Sequence, residues 1–183
     1  MYRKRPTAAL STTTPPPLSL SQAFRACVDD FVARYAGAGV DAVAGFEARG
    51  FIFGPPVALG LGVPFVPLRK PGKLPGAVVR AEYDLEYGSD VLEMHVDAVK
   101  AGARVVLMDD LVATGGTLAA GVKLVTGVGA VVHECAAVIE LPELNGRAKL
   151  GGVPLYVQVQ KDEHTEEGAA ESAAARHAKE EMM

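Results

Sequence analysis

The chain has 183 residues, 18 Lys and Arg against 22 Asp and Glu, a formal net charge of −4, and 49% hydrophobic residues. That length suits one domain with a full core, and the acidic balance argues against a nucleic-acid-coating protein. No apolar run approaches a membrane span, and two cysteines without a CxxC or Cys/His cluster exclude a disulfide frame or zinc site and point to reduced, buried thiols in a cytoplasmic protein.

Residues 1–18 are basic, Ser/Thr-rich and carry Pro15-Pro16-Pro17. They lack an apolar signal core and read as a disordered arm. Ser19 and Gln22 have capping-box spacing. Leu20, Phe24, Cys27, Val28, Phe31, Val32 and Tyr35 then recur at helical spacing to about Ala36, and Gly37 and Gly39 stop the helix. Val40 to Phe46 predicts the first core strand. It runs into Glu47-Ala48-Arg49-Gly50, a strand end where α/β proteins place ligand-binding loops. An arginine there can grip a pyrophosphate through parallel hydrogen bonds or simply pair with Glu47. A helix follows, with Pro55 and Pro56 expected in its first turn.

Val63 to Leu68 predicts a second strand. The loop after it holds Arg69, Lys70 and Lys73 among two glycines and two prolines, and suits a polyanion such as pyrophosphate with Mg²⁺. Val78–Leu85 and Val91–Met94 predict a β-hairpin, with Glu86 and Tyr87 near its tip. A hairpin beside an active site can act as a flexible lid, and Glu86 can donate a proton if closure desolvates it. His95 reads as structural or surface.

The most informative stretch is Arg104 to Thr117, RVVLMDDLVATGGT. An apolar run, the pattern of a strand buried on both faces, ends in Asp109 and Asp110. Leu111 and Val112 follow, then Ala113, Thr114, Gly115, Gly116 and Thr117, and a helical pattern begins with Leu118, Val122, Leu124 and Val125. A Gly/Thr turn opening a helix offers unpaired N–H groups and the positive end of the macrodipole, which favour a phosphate. Two acids just before it would repel a bare anion; they suit the hydroxyls of a sugar whose phosphate sits in the turn, with a divalent cation nearby. The missing Gly-Lys-Ser/Thr excludes a P-loop. Ala130 to Leu141 predicts another central strand, with His133 and Cys135 on one face, and Val153 to Val159 the last. The charged, Ala-rich tail from 161 to 183 carries no core face.

Four motifs, Gly45–Gly54, Pro67–Gly76, Tyr83–Gly88 and Val105–Thr117, resemble in order those of the adenine phosphoribosyltransferases, type I phosphoribosyltransferases, over about Phe24 to Gln160. The resemblance implies a domain spanning 19–160. Its fold would be α/β, a central, mostly parallel twisted sheet flanked by helices, with the hairpin as lid. It implies transfer of the phosphoribosyl group of 5-phosphoribosyl pyrophosphate (PRPP) to adenine, giving AMP and pyrophosphate, with Mg²⁺, in a homodimer without nucleic-acid or membrane partners. Asp109, Asp110 and Ala113–Thr117 would hold PRPP or AMP, Arg49, Arg69, Lys70 and Lys73 the pyrophosphate, and Glu86 with Arg49 would serve catalysis. The family's usual hood over adenine, a Phe-Pro-x-x-Pro-Gly segment, is here replaced by the basic arm. Two alternatives therefore stand beside the first: a catalytically impaired PRPP- or AMP-binding homologue, and a phosphoribosyltransferase for 6-oxopurines.

Overall fold

A computed structural model describes residues 20–84 and 89–161. The predicted arm, the hairpin tip with Glu86 and Tyr87, and the tail beyond Lys161 lie outside them. Helix α1 (Leu20–Tyr35) leads to strand β1 (Ala42–Phe46), helix α2 (Gly50–Leu61) and strand β2 (Phe65–Leu68). The hairpin is β3 (Val78–Asp84) and β4 (Ser89–His95), followed by β5 (Arg104–Val112), helix α3 (Gly116–Gly127), β6 (Val131–Glu140) and β7 (Leu155–Gln160).

Five strands form one sheet in the order β2-β1-β5-β6-β7, every neighbouring pair parallel. β3 and β4 pair antiparallel in a separate two-stranded sheet, joined to the end of β2 by a single bridge between Arg69 and Glu93. Side chains alternate across the main sheet. Val43, Val106, Met108 and Ala136 face α1 and α2, where they meet Phe31, Tyr35, Val57 and Ala58. Ala44, Phe46, Val105, Leu107 and Ala137 face α3 and the hairpin, where they meet Leu118, Leu124, Val125, Leu92 and Met94. Both faces are covered, which is why β1 and β5 read as continuous apolar runs.

The helix α3 approaches the sheet closely because Gly121 has no side chain. A Cβ there would lie 2.5 Å from Cζ of Phe46 and 3.3 Å from Cδ1 of Leu107. Gly121→Val is expected to lower stability by about 1–3 kcal/mol through overpacking, seen as a lower denaturant midpoint with an unchanged slope.

Three sequence expectations are corrected. Pro55 and Pro56 are not in the first turn of α2, which starts at Gly50 directly after the β1 loop; they sit inside the helix, where its all-apolar sequence lets burial offset the missing N–H donors. Cys135 is buried but Cys27 is only half-buried, because its side of α1 is not fully covered. His133 and Cys135 do not share a face. The β5–β6 register shifts so that Val105 opposes Val132 and Val106 opposes Glu134, leaving His133 as the extra residue of a bulge. His133 therefore turns toward Tyr35 on the α1 side, ring centroids 6.2 Å apart, while Cys135 packs in the core on the α3 side.

That bulge also places a buried carboxylate. Glu134 accepts both guanidinium bonds of Arg34, at 2.6 and 2.8 Å, and the Tyr35 hydroxyl at 2.8 Å. Burial pushes its pKa up, but these donors outweigh it and hold the group below the usual carboxylate range.

Candidate active site

Strand order reverses direction between β1 and β5. From β1 the chain crosses through α2 on one face to β2; from β5 it crosses through α3 on the opposite face to β6. The loops leaving the C-terminal ends of β1 and β5 are thus driven apart, and a crevice opens between them, the place where open α/β sheets bind ligands. A cavity of about 370 Å³ lies there. It is lined from the β1 loop by Glu47, Ala48 and Arg49, from the end of β2 by Lys70, from the hairpin by Tyr83 and Leu92, and by the continuous run from Asp109 to Leu118.

The two acids that end the apolar run belong to β5, and the strand continues past them to Val112. β5 stays paired with β6 through Asp109↔Ala137 and Leu111↔Ile139 to Val112↔Glu140, because β6 is long enough to carry the ladder onward. The acids are thereby fixed to the most central strand rather than to a loop. Asp109 accepts the Asp110 N–H at 2.9 Å. Loss of water around it raises its pKa well above the usual carboxylate range, with the neighbouring Asp110 adding to the rise and its own N–H opposing it. Asp110 accepts from Arg49 Nε at 2.5 Å, which ties the β1 loop to β5 across the mouth of the crevice.

The turn from Ala113 to Thr117 has the form expected of an anion cradle. Gly115 is the N-cap of α3 in the left-handed conformation, φ 75° and ψ 1°, and no side chain caps the helix start. Its first-turn N–H groups are free to meet a ligand. The turn rests on a second glycine far along the chain, Gly146. A Cβ on Gly115 would strike the Gly146 carbonyl oxygen, and a Cβ on Gly146 would strike the carbonyl of Ala113. Gly146 opens a 3-10 segment, Gly146–Leu150, anchored by its neighbour Arg147. That guanidinium donates two bonds of 2.7 Å to buried Glu140 and one of 2.8 Å to the Leu155 carbonyl. Charge pairing with Arg147 holds Glu140 below the usual carboxylate range.

The cationic loop is divided. Lys70 faces the cavity; Arg69 and Lys73 do not line it. Arg69 Nε donates to Glu47 Oε2 at 2.8 Å and its Nη1 to the Lys73 carbonyl at 3.0 Å, while the Lys70 N–H donates to Glu47 Oε1 at 2.7 Å. Burial raises the Glu47 pKa, but the Lys70 N–H and Arg69 outweigh it and the net shift is downward. Glu47 therefore pairs with Arg69, and Arg49 is left to Asp110. Glu93, buried in β4, accepts Arg80 Nε at 2.7 Å and the Gly72 N–H at 3.0 Å, so the hairpin and the cationic loop form one unit. His95 donates its Nε2–H to the Pro75 carbonyl at 2.8 Å, a structural role as expected.

Of the sequence-predicted residues, the structure brings together Arg49, Lys70, Asp109, Asp110, Ala113, Thr114, Gly115, Gly116 and Thr117. Glu86 and Tyr87 lie outside the described residues. Tyr83, Leu92 and Leu111 line the site without having been assigned a role there, and Gly146 and Arg147 support its turn from outside the cavity. Alternation along β3 and β4 carries a signal for the first two; nothing local signals the contact of Gly146 with a turn so distant in the chain.

A parallel sheet whose switch point holds an anion turn preceded by paired acids, with a hairpin to one side, defines the phosphoribosyltransferase class. The model of the phosphoribosyl transferase domain matches residues 23–153. The chain belongs to the adenine phosphoribosyltransferase family. It is 62% identical over 142 residues to adenine phosphoribosyltransferase 1 of Triticum aestivum, covering 78% of each chain. Among solved structures it is similar to the adenine phosphoribosyltransferase of Thermoanaerobacter pseudethanolicus, with TM-score 0.75 and 46% identity over 78% of this chain and 83% of that one. It is likewise similar to the Saccharomyces cerevisiae enzyme complexed with an imino-altritol bisphosphate and adenine, with TM-score 0.71 and 44% identity over 74% and 79% of the two chains.

Proposed function

We propose that the cavity between β1 and β5 is where this chain carries out phosphoribosyl transfer, and that the residues lining it divide the work as follows. The reaction is PRPP plus adenine giving AMP and pyrophosphate: the bond from ribose C1 to the pyrophosphate oxygen breaks, and a bond from C1 to a ring nitrogen of adenine forms with loss of that nitrogen's proton. The N–H groups of the Ala113–Thr117 turn and the Thr114 and Thr117 hydroxyls hold the 5-phosphate. Asp109 and Asp110, one strand end away, hold the ribose hydroxyls. Arg49 and Lys70 meet the pyrophosphate, with Arg69 and Lys73 reinforcing the positive field from outside the cavity. Glu86 exchanges the proton with the base, and the hairpin excludes water from the cationic sugar.

The observation that supports this most directly is that one continuous run, Asp109 to Leu118, lines the crevice with both sugar-type acceptors and phosphate-type donors. Among the described residues no group of three or more His, Cys, Asp and Glu side chains could hold a metal by itself. Two adjacent carboxylates nevertheless fit Mg²⁺, which takes one or two carboxylates and fills its remaining positions with substrate oxygens and water. Bound with PRPP, Mg²⁺ would supply positive charge to the leaving pyrophosphate.

The proposal includes a homodimer, supported by the exposed Leu20, Ile52 and Leu59 on α1 and α2. It includes a cytoplasmic location, supported by two free thiols, and a domain of residues 19–160 between an arm and a tail. Among the described residues no helix is long and apolar enough to cross a membrane.

Purified protein given PRPP, Mg²⁺ and labelled adenine is expected to form labelled AMP. Thermal stabilisation by PRPP without AMP would point to the impaired homologue; preferential use of hypoxanthine or guanine would point to the 6-oxopurine enzyme.

A further inference from the structure

Three cations at the ends of β1 and β2 are already neutralised by acids of the protein. Arg49 is held by Asp110, Arg69 by Glu47 and Lys70 by Asp90, the last with Nζ 2.9 Å from Oδ2. Asp110 and Glu47 line the cavity; Asp90 does not. It stands on β4 of the hairpin, where its other oxygen accepts the Val91 N–H at 2.8 Å, and the hydroxyl of Tyr83 on β3 donates to Oδ2 at 3.2 Å. The carboxylate is thus oriented from two sides before Lys70 reaches it. The backbone of Lys70 is fixed by its N–H bond to Glu47, but its side chain remains 61% exposed and can swing between Asp90 and the cavity without moving the loop.

Resting on the phosphoribosyl-transfer reading above, we propose that Asp90 is a positioning residue that competes with pyrophosphate for Lys70. In the ligand-free enzyme it neutralises the ammonium at the edge of the cavity that Lys70 lines. An incoming polyanion outbids a single partly exposed carboxylate and takes the Lys70 ammonium from Asp90. When pyrophosphate leaves, Asp90 takes the ammonium back, and the exchange weakens the grip on the product. A ligand with only one phosphate group has less charge to offer and does not displace Asp90. The pair therefore favours polyanions and, at the same time, keeps pyrophosphate from binding too tightly. Because Asp90 and Tyr83 belong to the hairpin, release of Lys70 also frees one tie between hairpin and cationic loop.

The test is a double-mutant cycle on pyrophosphate binding, read as the product-inhibition constant against PRPP and as direct titration of the protein with Mg²⁺ and pyrophosphate. Exposed ion pairs are worth little each, so Asp90→Asn is expected to tighten pyrophosphate by about two- to fivefold. The KM for adenine should be unchanged, and turnover should fall where product release limits it. In a Lys70→Met background the same Asp90→Asn change is expected to do nothing, because the residue it competes for is gone. Unchanged pyrophosphate affinity in Asp90→Asn would overturn the proposal. So would an equal gain in the Lys70→Met background, since that is the signature of a general loss of negative charge. Failure of the broader reading looks different: the unmodified protein would then neither bind pyrophosphate competitively with PRPP nor form AMP.

Discussion

Asp109→Asn is expected to weaken PRPP binding about 10- to 100-fold while raising the melting temperature of the ligand-free protein. The first effect follows from the place of the carboxylate. It is carried by the central strand and lines the crevice beside the anion turn, where bound Mg²⁺–PRPP would favour its charged form as acceptor for the sugar hydroxyls; a hydrogen bond to a charged group is worth about 1.5–3 kcal/mol. The second follows from its environment. Asp109 has lost water on folding and its neighbour Asp110 is also acidic, so its pKa stands well above the ordinary carboxylate range. A carboxyl group whose folded pKa is raised binds more protons in the native state than in the unfolded one. Stability therefore falls as pH rises through and above the ordinary carboxylate range, and the cost vanishes at lower pH, where both states are protonated. Asparagine removes the charge and keeps the oxygen that accepts the Asp110 N–H. The gain at neutral pH should be about 1 kcal/mol, a rise of about 2–4 °C for a domain of this size. Melting curves across a pH series, with and without PRPP, read both effects at once. A variant that melts lower would show that the carboxylate is not desolvated; one that keeps the full PRPP-induced shift would show that Asp109 does not hold the sugar.

Such a trade between stability and binding explains why this segment is legible in the amino-acid sequence alone. An apolar run, then two acids, then Gly and Thr residues opening a helix is costly for a fold that has no use for it, so the pattern points to a ligand. Arg49 is legible only through its context, Gly45 to Gly54, because read alone it is explained as well by a pair with Glu47. What the sequence does not disclose is how charges are paired. Three cations in a loop look alike, yet Arg69 turns back to Glu47 and only Lys70 faces the crevice, a choice made by the Arg69–Glu93 bridge that fixes the loop to the hairpin. His133 and Cys135 are separated by two positions, and period-two alternation assigns them one face; a single extra residue in β6 reverses that assignment. The extension of β5 through Asp109 and Asp110 depends on the length of its partner β6, which no local pattern in β5 records.

The remaining large effect concerns the floor of the anion turn. Gly115→Ala is expected to destabilise the protein by about 2 kcal/mol and to raise the KM for PRPP at least tenfold, with a smaller change in the KM for adenine. Two penalties add. Gly115 has φ 75°, and a Cβ in the left-handed region costs about 1–2 kcal/mol. The new methyl would also meet backbone: it would overlap the Gly146 carbonyl oxygen and lie 2.8 Å from the Gly146 carbonyl carbon and 3.0 Å from its Cα. Backbone cannot rotate aside as a side chain can, and here it is pinned, since Arg147 is clamped to Glu140 and to the Leu155 carbonyl. The turn itself must therefore lift, which carries its N–H groups away from the 5-phosphate. Misplacement by about 1 Å is enough to cost two orders of magnitude in a positioned reaction. Gly127→Ala provides the control. It lies in the same helix, has no positive φ, and would place its Cβ in open space, so it should stabilise slightly, by about 0.5–1 kcal/mol, and leave both KM values alone. The decisive comparison is PRPP KM against melting temperature across the two variants. If Gly115→Ala lost stability but bound PRPP normally, the phosphate would have to sit elsewhere in the crevice, and the assignment of the Ala113–Thr117 turn would fail with it.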